Sequence, residues 1–170
     1  MSRRLYLLRH AKSSWKHPEL ADHDRPLAAR GRRAAAAMAH HLAEHQIVPE
    51  LVLCSTALRT RETYEAIEAA LAHAPVRYER RLYGATADDL LERLRAVPDQ
   101  IRTVMLIGHN PAIEELALLL SRPSPERDQL QAKFPTAALA TLEHAGSRWR
   151  DLESGCATLI AYVRPRDLDH

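Results

Sequence analysis

The sequence predicts an α/β fold in which a mainly parallel sheet is flanked by helices. Short apolar runs of strand length alternate with longer segments whose apolar residues recur at helical spacing, as in parallel strands joined by helices. The chain has 170 residues, enough for one domain with a sizeable core. Because no internal repeat or linker interrupts the pattern, we expect residues 1–170 to form a single domain.

The composition is that of an ordinary globular protein, with 46% hydrophobic and 27% charged residues. The net charge of +2 gives no reason to expect nucleic acid or a membrane surface as a partner. Cys54 and Cys156 are too few for a disulfide framework or a structural zinc site. The apolar run behind the basic start is shorter than a signal-peptide core, and no run approaches a membrane span, so we expect a cytoplasmic protein.

The first element is the apolar run Leu5-Tyr6-Leu7-Leu8, too short for a helix and therefore predicted to be a buried strand. Arg9 and His10 follow it directly, at the carboxyl end, where open α/β sheets form their ligand crevices. Histidine can act as a nucleophile or proton carrier, and a guanidinium can bind two phosphate oxygens. Taken alone, the pair could equally be solvated. The polar segment that continues through Pro26 is predicted to be a loop.

A helix is predicted from about Ala28 to His45. Its apolar face is marked by residues at helical spacing, namely Ala35, Met38 and Leu42. The basic cluster Arg30-Gly31-Arg32-Arg33 is interpreted as solvated surface rather than a nucleic-acid patch. His41 and His45 have a spacing that could chelate a metal, but no third ligand is evident, so we interpret them as an exposed helix face.

Leu51-Val52-Leu53-Cys54 is the second predicted strand, followed by a helix to about Ala72 with Ser55-Thr56 as its N-cap candidates. The buried face of that helix is predicted from spacing and comprises Thr60, Tyr64, Ile67 and Leu71.

Two arginines, Arg59 and Arg61, fall in or near the first turn of this helix. Cations there oppose the positive end of the helix dipole by about 0.3–1 kcal/mol each. A bound anion would explain the arrangement. The alternative is that both merely pair with Glu62 and Glu65.

The second half continues the alternation with a short strand at Val76 to Glu79, a Tyr83-Gly84 turn and a helix from Asp88 to Val97. The inward positions of that helix are Leu90, Leu91 and Leu94. Thr103 to Ile107 is the clearest buried strand in the sequence.

The segment Gly108-His109-Asn110-Pro111 ends that strand and opens another helix, with Asn110 as N-cap and Pro111 as first helical residue. The apolar stripe of this helix is Ile113, Leu116, Ala117 and Leu120. His109 therefore lies at a helix amino end, where free backbone N–H groups attract anions. The remaining predicted segments are a proline-containing connection from Arg122 to Lys133 and two strands, Ala137 to Leu142 and Thr158 to Val163, around a Gly146-Ser147 turn.

Strand ends of a parallel sheet share one edge, so Arg9, His10, Arg59 and His109 are expected to converge. Two arginines and two histidines, with no carboxylate or His–Cys group that could bind a metal, predict a phosphate site that uses no metal.

These residues resemble the histidine phosphatase superfamily, whose fold is phosphoglycerate mutase-like. The resemblance rests on Leu8-Arg9-His10, on Arg59 within Ser55-Thr56-Ala57-Leu58-Arg59-Thr60, and on His109 within Gly108-His109-Asn110-Pro111. It covers nearly the whole chain. The small bacterial SixA-type phosphohistidine phosphatases are the most similar branch, on the short length and three segments: Arg9-His10-Ala11-Lys12-Ser13-Ser14-Trp15, Arg25-Pro26-Leu27 and Phe134-Pro135-Thr136.

The resemblance implies a phosphatase in which His10 becomes a phosphohistidine that water then hydrolyses, with no metal or other cofactor. Arg9, Arg59 and His109 would bind the phosphoryl group, and Ser13 and Lys16 would contact the substrate. The implied partner is a phosphorylated substrate, such as a protein that carries phosphohistidine.

The sequence departs from the superfamily pattern at two places. Ala11 replaces the usual glycine after the nucleophile, which requires that no positive φ is needed there. Larger relatives carry a glutamate acid three residues before a Tyr-Gly pair. Here Arg80 holds that position before Tyr83-Gly84, and the candidate acid Glu79 is one residue out of register. A phosphoimidazole leaving group can depart neutral, so a dedicated acid is not required.

Three alternatives remain open at this point. The protein could be a broader small-molecule phosphomonoesterase of the same superfamily, or a phosphate- or phosphohistidine-binding module without turnover. It could also be a cysteine phosphatase with Cys54 as nucleophile and Arg59 as clamp, although the four residues between them are one fewer than that class uses. A cysteine that ends a buried strand is more often core packing.

Overall fold

The computed structural model describes residues 2–168, in which six strands form one sheet. In chain order they are β1 (Arg3–Arg9), β2 (Leu51–Ser55), β3 (Val76–Glu79), β4 (Thr103–Gly108), β5 (Leu139–His144) and β6 (Ala157–Val163). The order across the sheet is β3-β2-β4-β1-β5-β6. The first four strands pair in parallel, β5 is antiparallel to β1, and β6 is antiparallel to β5. The carboxyl ends of β1, β2, β3 and β4 therefore share one edge.

Helices cover both faces of this sheet, which is the predicted α/β arrangement in a single domain. They are α1 (Ala29–Glu44), α2 (Leu58–Ile67), α3 (Ala87–Arg95), α4 (Ala112–Leu120) and α5 (Pro125–Ala132). Alternate residues of β1 serve opposite faces, as the strand period requires. Leu5 and Leu7 pack with residues of α3 and α4, whereas Tyr6 and Leu8 pack with residues of α1 and α2.

Most predicted elements are confirmed within a few residues of their predicted ends. The predicted helix face of α2 is buried, and so are the apolar stripes of α1, α3 and α4. No helix in residues 2–168 is both long and apolar enough to span a membrane.

The region from Arg122 to Lys133, predicted to be a connection, contains α5, so that prediction was wrong. Ser124 caps this helix by accepting a hydrogen bond from the Arg127 N–H, and Pro125 occupies the first turn. Proline is favourable at this position because its missing N–H would have no helical partner there.

The predicted start and end of α2 were also wrong. Its N-cap is Ala57, not Ser55 or Thr56, and the helix ends at Ile67. Turns follow it, with positive φ angles at Ala72 and His73. Ser55 lies at the end of β2 and is buried. Its hydroxyl contacts His109.

Asn110 is not the N-cap of α4, contrary to prediction, because the helix begins at Ala112 with Pro111 as its cap residue. The Asn110 side chain instead accepts a hydrogen bond from the Glu114 N–H at 3.2 Å and donates one to the Phe134 carbonyl at 3.1 Å. Asn110 thus links α4 to the segment before β5.

Candidate active site

His10 lies at the carboxyl end of β1, where its backbone N–H donates to the Gly108 carbonyl at 3.0 Å. Its ring Nδ1 is 2.7 Å from the Ala11 carbonyl oxygen. Because a carbonyl can only accept, Nδ1 carries the proton and Nε2 keeps the lone pair that a nucleophile needs. The ring is 7% exposed, and burial lowers the pKa of His10 to about 3, with smaller contributions from nearby cations including Arg59. His10 is therefore neutral at pH 7.

The backbone around His10 is held from two sides. The Ala11 N–H donates to the Thr63 hydroxyl of α2 at 3.0 Å, and that hydroxyl donates to the Arg59 carbonyl at 2.7 Å. Ala11 has no positive φ, so the glycine usual in the superfamily pattern is not needed here. On the other side, the Ala137 N–H lies within 3.1 Å of the Arg9 and His10 carbonyls.

The loop after His10 packs closely on α1. The Ala28 N–H donates to the Lys12 carbonyl at 2.9 Å. A Cβ atom added at Gly31 would overlap that same carbonyl oxygen. Gly31, which belongs to the basic cluster interpreted as solvated surface, is thus buried against the loop that follows His10. Only glycine permits this contact.

Arg9 is the last residue of β1 and is partly buried. One terminal nitrogen donates to the Phe134 carbonyl at 3.0 Å, so the backbone of the Phe134-Pro135-Thr136 motif orients the guanidinium. Its Nε is buried and has no hydrogen-bond partner in the protein.

Arg59 is buried in the first turn of α2, and its partner is Asp22, not Glu62 or Glu65 as the alternative interpretation had it. Its two terminal nitrogens donate to the Asp22 carbonyl oxygen at 2.8 Å and to Oδ2 of Asp22 at 3.0 Å. Glu62 instead accepts from the Leu27 N–H. The Arg59 Nε is buried without a partner.

His109 follows β4, and its ring centroid is 5.3 Å from that of His10. Its Nε2 is 2.8 Å from the Ser55 hydroxyl oxygen, which also accepts from the Ala57 N–H. If the hydroxyl donates its proton to Nε2, the proton of the neutral ring lies on Nδ1. Burial lowers the pKa of His109 to about 4, and Nδ1 is buried without a partner.

Asp22 and Tyr83 belong to this cluster although the sequence did not indicate them. The Tyr83 hydroxyl donates to Oδ2 of Asp22 at 2.6 Å, and Arg25 donates to Oδ1 at 3.2 Å. Tyr83, then Arg59 and Arg25, hold the pKa of the Asp22 carboxyl well below its usual range. The neighbouring Arg25-Pro26-Leu27 motif was the one nearby signal, whereas Tyr83 was interpreted only as part of a turn.

Glu79, the candidate acid, lies at the end of β3 in an ion pair with Arg93. The Nε of Arg93 donates to Oε1 of Glu79 at 2.7 Å, and a terminal nitrogen donates to Oε2 at 3.0 Å. Arg93, and after it Arg81, lower the pKa of Glu79. This environment favours the carboxylate, the opposite of what a proton donor requires.

The other predicted residues lie in the loop after β1 or within the core. Ser13 is buried in an isolated bridge with Leu27, and Lys16 is exposed. Cys54 is fully buried, and burial raises the pKa of its thiol to about 12. Because the thiolate is the reactive form, this opposes the cysteine mechanism.

The site thus combines one neutral nucleophile with buried donors. The Nε atoms of Arg9 and Arg59 and Nδ1 of His109 have no partner in the protein. Buried donors are normally satisfied, and a phosphoryl group would supply several acceptor oxygens at once. A cavity of about 300 Å³ adjoins His109 and is lined in part by Leu82, Thr86 and Glu115.

Comparison with known proteins supports this assignment. A family model described as the histidine phosphatase superfamily (branch 1) matches residues 5–85, which include His10 and Arg59. The solved SixA structure of Nakamurella multipartitia is 36% identical, with 97% of each chain covered and a TM-score of 0.84. This chain belongs to the histidine phosphatase superfamily.

Two further proteins are similar to this histidine phosphatase over most of its length. The SixA structure of Agrobacterium tumefaciens is 32% identical, covers 96% of this chain and 98% of that chain, and has a TM-score of 0.80. Both SixA proteins are described as candidate phosphohistidine phosphatases. An uncharacterized protein of Mycobacterium tuberculosis is 40% identical over 167 residues, covering 94% of this chain and all of that protein.

Proposed function

We propose that this histidine phosphatase is a phosphohistidine phosphatase, and that it transfers the phosphoryl group to His10 without a metal ion. The observation that carries the proposal is the state of His10. Its Nδ1 proton is held by the Ala11 carbonyl, its pKa is lowered to about 3, and its Nε2 keeps the lone pair. The neighbouring SixA structures support the choice of phosphohistidine as substrate.

In the first step, Nε2 of His10 attacks phosphorus, and the P–N bond to the substrate imidazole breaks. The bonding electron pair returns to the leaving nitrogen, and the ring departs as a neutral imidazole with the proton it already carries on its distal nitrogen. His10 then bears the phosphoryl group on Nε2 and keeps its proton on Nδ1, where the Ala11 carbonyl accepts it. Water next attacks phosphorus and forms a P–O bond, while the P–Nε2 bond breaks and its electron pair returns to Nε2. The proton that the attacking water loses passes to solvent, and inorganic phosphate is released.

The surrounding groups act electrostatically during both steps. Arg9 and Arg59 would donate from Nε to the equatorial oxygens, and His109 would donate from Nδ1. Phosphoryl transfer depends mainly on such positioning and charge stabilisation. The same cations make protonation of His10 less favourable and so keep it nucleophilic.

The state of Glu79 favours phosphohistidine over alkyl phosphoesters. An alkoxide needs a proton in order to leave, whereas an imidazole that already carries its distal proton does not. Both carboxylate oxygens of Glu79 are held by Arg93, so Glu79 is a poor proton source. We propose a phosphohistidine-bearing protein as the substrate, with the exposed Lys16 as a rim contact and Ser13 as a second residue on the substrate side.

The deciding experiment compares His10→Ala with Cys54→Ala, using phosphohistidine and an aryl phosphate as substrates. We expect His10→Ala to lose turnover and remain folded, and Cys54→Ala to stay active, in both the presence and absence of EDTA. Mass spectrometry of the wild type after an acid-free quench should show phosphate on His10.

Several results would contradict the proposal. Substantial turnover by His10→Ala would remove the nucleophile assignment, and loss of turnover in a folded Cys54→Ala would revive the cysteine mechanism. Activity that EDTA abolishes and a divalent ion restores would contradict the metal-free mechanism. Phosphate binding by an inactive wild type would indicate a binding module.

A further inference from the structure

Arg59 is already engaged by a carboxylate. Asp22, in a short 3-10 helix (Asp22–Asp24), accepts from one terminal nitrogen of Arg59 with its backbone oxygen and from the other with Oδ2. These contacts hold the outer edge of the guanidinium. The Nε–H is left as a buried donor without a partner.

The Asp22 carboxylate is itself held in place by two further donors. Tyr83 donates to Oδ2 at 2.6 Å, and Arg25 donates to Oδ1 at 3.2 Å. Arg25 is in turn buried and donates to the Ser14 carbonyl at 3.2 Å. Because three side chains converge on it, the carboxylate cannot turn away without breaking several hydrogen bonds.

This arrangement has two opposite effects on a phosphoryl group bound at Arg59. The contacts fix the guanidinium, which lowers the cost of ordering it when phosphate binds. The fixed negative charge, 3.0 Å from Arg59, also repels a phosphate on the same guanidinium. Because both anions would contact one guanidinium, the carboxylate and the phosphate would lie within the screening length of about 8 Å at physiological salt.

We propose that Asp22 is a positioning residue for Arg59 whose negative charge weakens the binding of phosphate, so that the inorganic product is released readily. This inference rests on the proposed function, because it takes Arg59 to be a phosphate ligand. The repulsion acts on bound substrate and bound product alike. It therefore weakens binding uniformly, which raises KM without raising the barrier of the chemical step.

The test measures inorganic phosphate binding by calorimetry, together with kcat and KM for an aryl phosphate. The variants are Asp22→Asn, which keeps the side-chain acceptor for Arg59 and removes the charge, and Asp22→Ala, which removes both and leaves only the backbone acceptor. Glu143→Gln is the matched control, since Glu143 forms a similar half-exposed pair with Arg4 near the opposite end of β1. Circular dichroism would establish that each variant is folded.

We expect Asp22→Asn to bind phosphate about tenfold more tightly and to lower KM in parallel without raising kcat, a change of about 1.4 kcal/mol. Asp22→Ala should lie between the wild type and Asp22→Asn, because it also loses the contact that positions Arg59. Glu143→Gln should match the wild type. Added salt should shrink the difference between Asp22→Asn and the wild type, because screening weakens the repulsion.

Unchanged or weaker phosphate binding in Asp22→Asn would overturn the proposal and leave Asp22 a purely structural role. Phosphate binding by none of the proteins would overturn it together with the phosphate site. Tighter phosphate binding in Asp22→Asn without turnover by any protein would support the role of Asp22 and contradict the proposed catalytic activity, so the two failures are distinguishable.

Discussion

The Ser55 hydroxyl oxygen lies 2.8 Å from Nε2 of His109, and this contact joins the ends of two neighbouring strands, β2 and β4. If the hydroxyl donates to Nε2, the proton of the neutral His109 ring lies on Nδ1. Without the hydroxyl, the ring could take the other tautomer and present a lone pair from Nδ1 to the phosphoryl group in place of a donor. Ser55 is therefore expected to matter for rate although it is not placed to react.

Ser55→Ala should lower kcat/KM for phosphohistidine about tenfold, as expected when one hydrogen bond worth roughly 1–1.5 kcal/mol is lost. Nitrogen-15 NMR of the His109 ring should show a mixture of tautomers in the variant and mainly the Nδ1–H form in the wild type. An unchanged tautomer ratio with an unchanged rate would contradict the assignment.

Glu79→Gln should affect stability more than catalysis. Arg93 is almost fully buried and would lose its counter-charge, so the unfolding free energy should fall by about 1.5–3 kcal/mol. The ratio of phosphohistidine to aryl phosphate turnover should stay the same, and the wild type should be slow on alkyl phosphates. Rapid wild-type hydrolysis of an alkyl phosphate that the variant loses would instead identify Glu79 as an acid.

The stability of the fold should decrease as the pH falls from about 6.5 toward 4. His10 and His109 have pKa values lowered to about 3 and about 4 in the folded protein, so in this range the unfolded chain binds protons that the folded chain does not. The unfolding free energy should therefore fall by about 1.4 kcal/mol per pH unit for each histidine.

Urea unfolding at several pH values measures this dependence. His10→Ala provides the control, because removing one of the two groups should make the slope clearly shallower. A wild-type stability that stays constant between pH 6.5 and 4.5 would show that these histidines are not held neutral.

Gly31→Ala should be destabilising although alanine is the better helix former. The added Cβ would overlap the Lys12 carbonyl, and overpacking of this kind typically costs about 1–3 kcal/mol. Because Lys12 follows the segment that holds His10, kcat/KM should fall as well. Ala36→Gly, at an exposed position of the same helix, is the control: it should lose about 1 kcal/mol and keep its activity.

The parts of the site that could be predicted from the sequence are those that follow from strand geometry. Apolar runs marked the strands, and the rule that parallel strand ends share an edge placed Arg9 and His10 near His109, which the structure brings together. The polar partners could not be predicted. Asp22 lies in a loop without periodicity, 37 residues before its partner Arg59, so no local pattern connects them.

Other differences have local causes. Serine is a favoured N-cap residue, but the Ser55 hydroxyl contacts His109 instead. The two residues meet because β2 pairs with β4, which local propensity does not predict. The helix α5 carries few apolar residues, and only Leu130 is buried, so hydrophobic periodicity did not indicate it. Ser124 followed by Pro125 was a usable start signal, one that the charged composition of the segment obscured.

The position of β1 within the sheet has a consequence for biosynthesis. This strand pairs with β4, at residues 103–108, and with β5, at residues 139–144, although it is synthesised before the other five described strands. At a synthesis rate of about 5–20 residues per second, the apolar side chains of β1 remain without either neighbouring strand for several seconds. Truncated translation products that end before β4 would therefore carry His10 and Arg59 without the strand that aligns them, and they should be both inactive and exposed to chaperones.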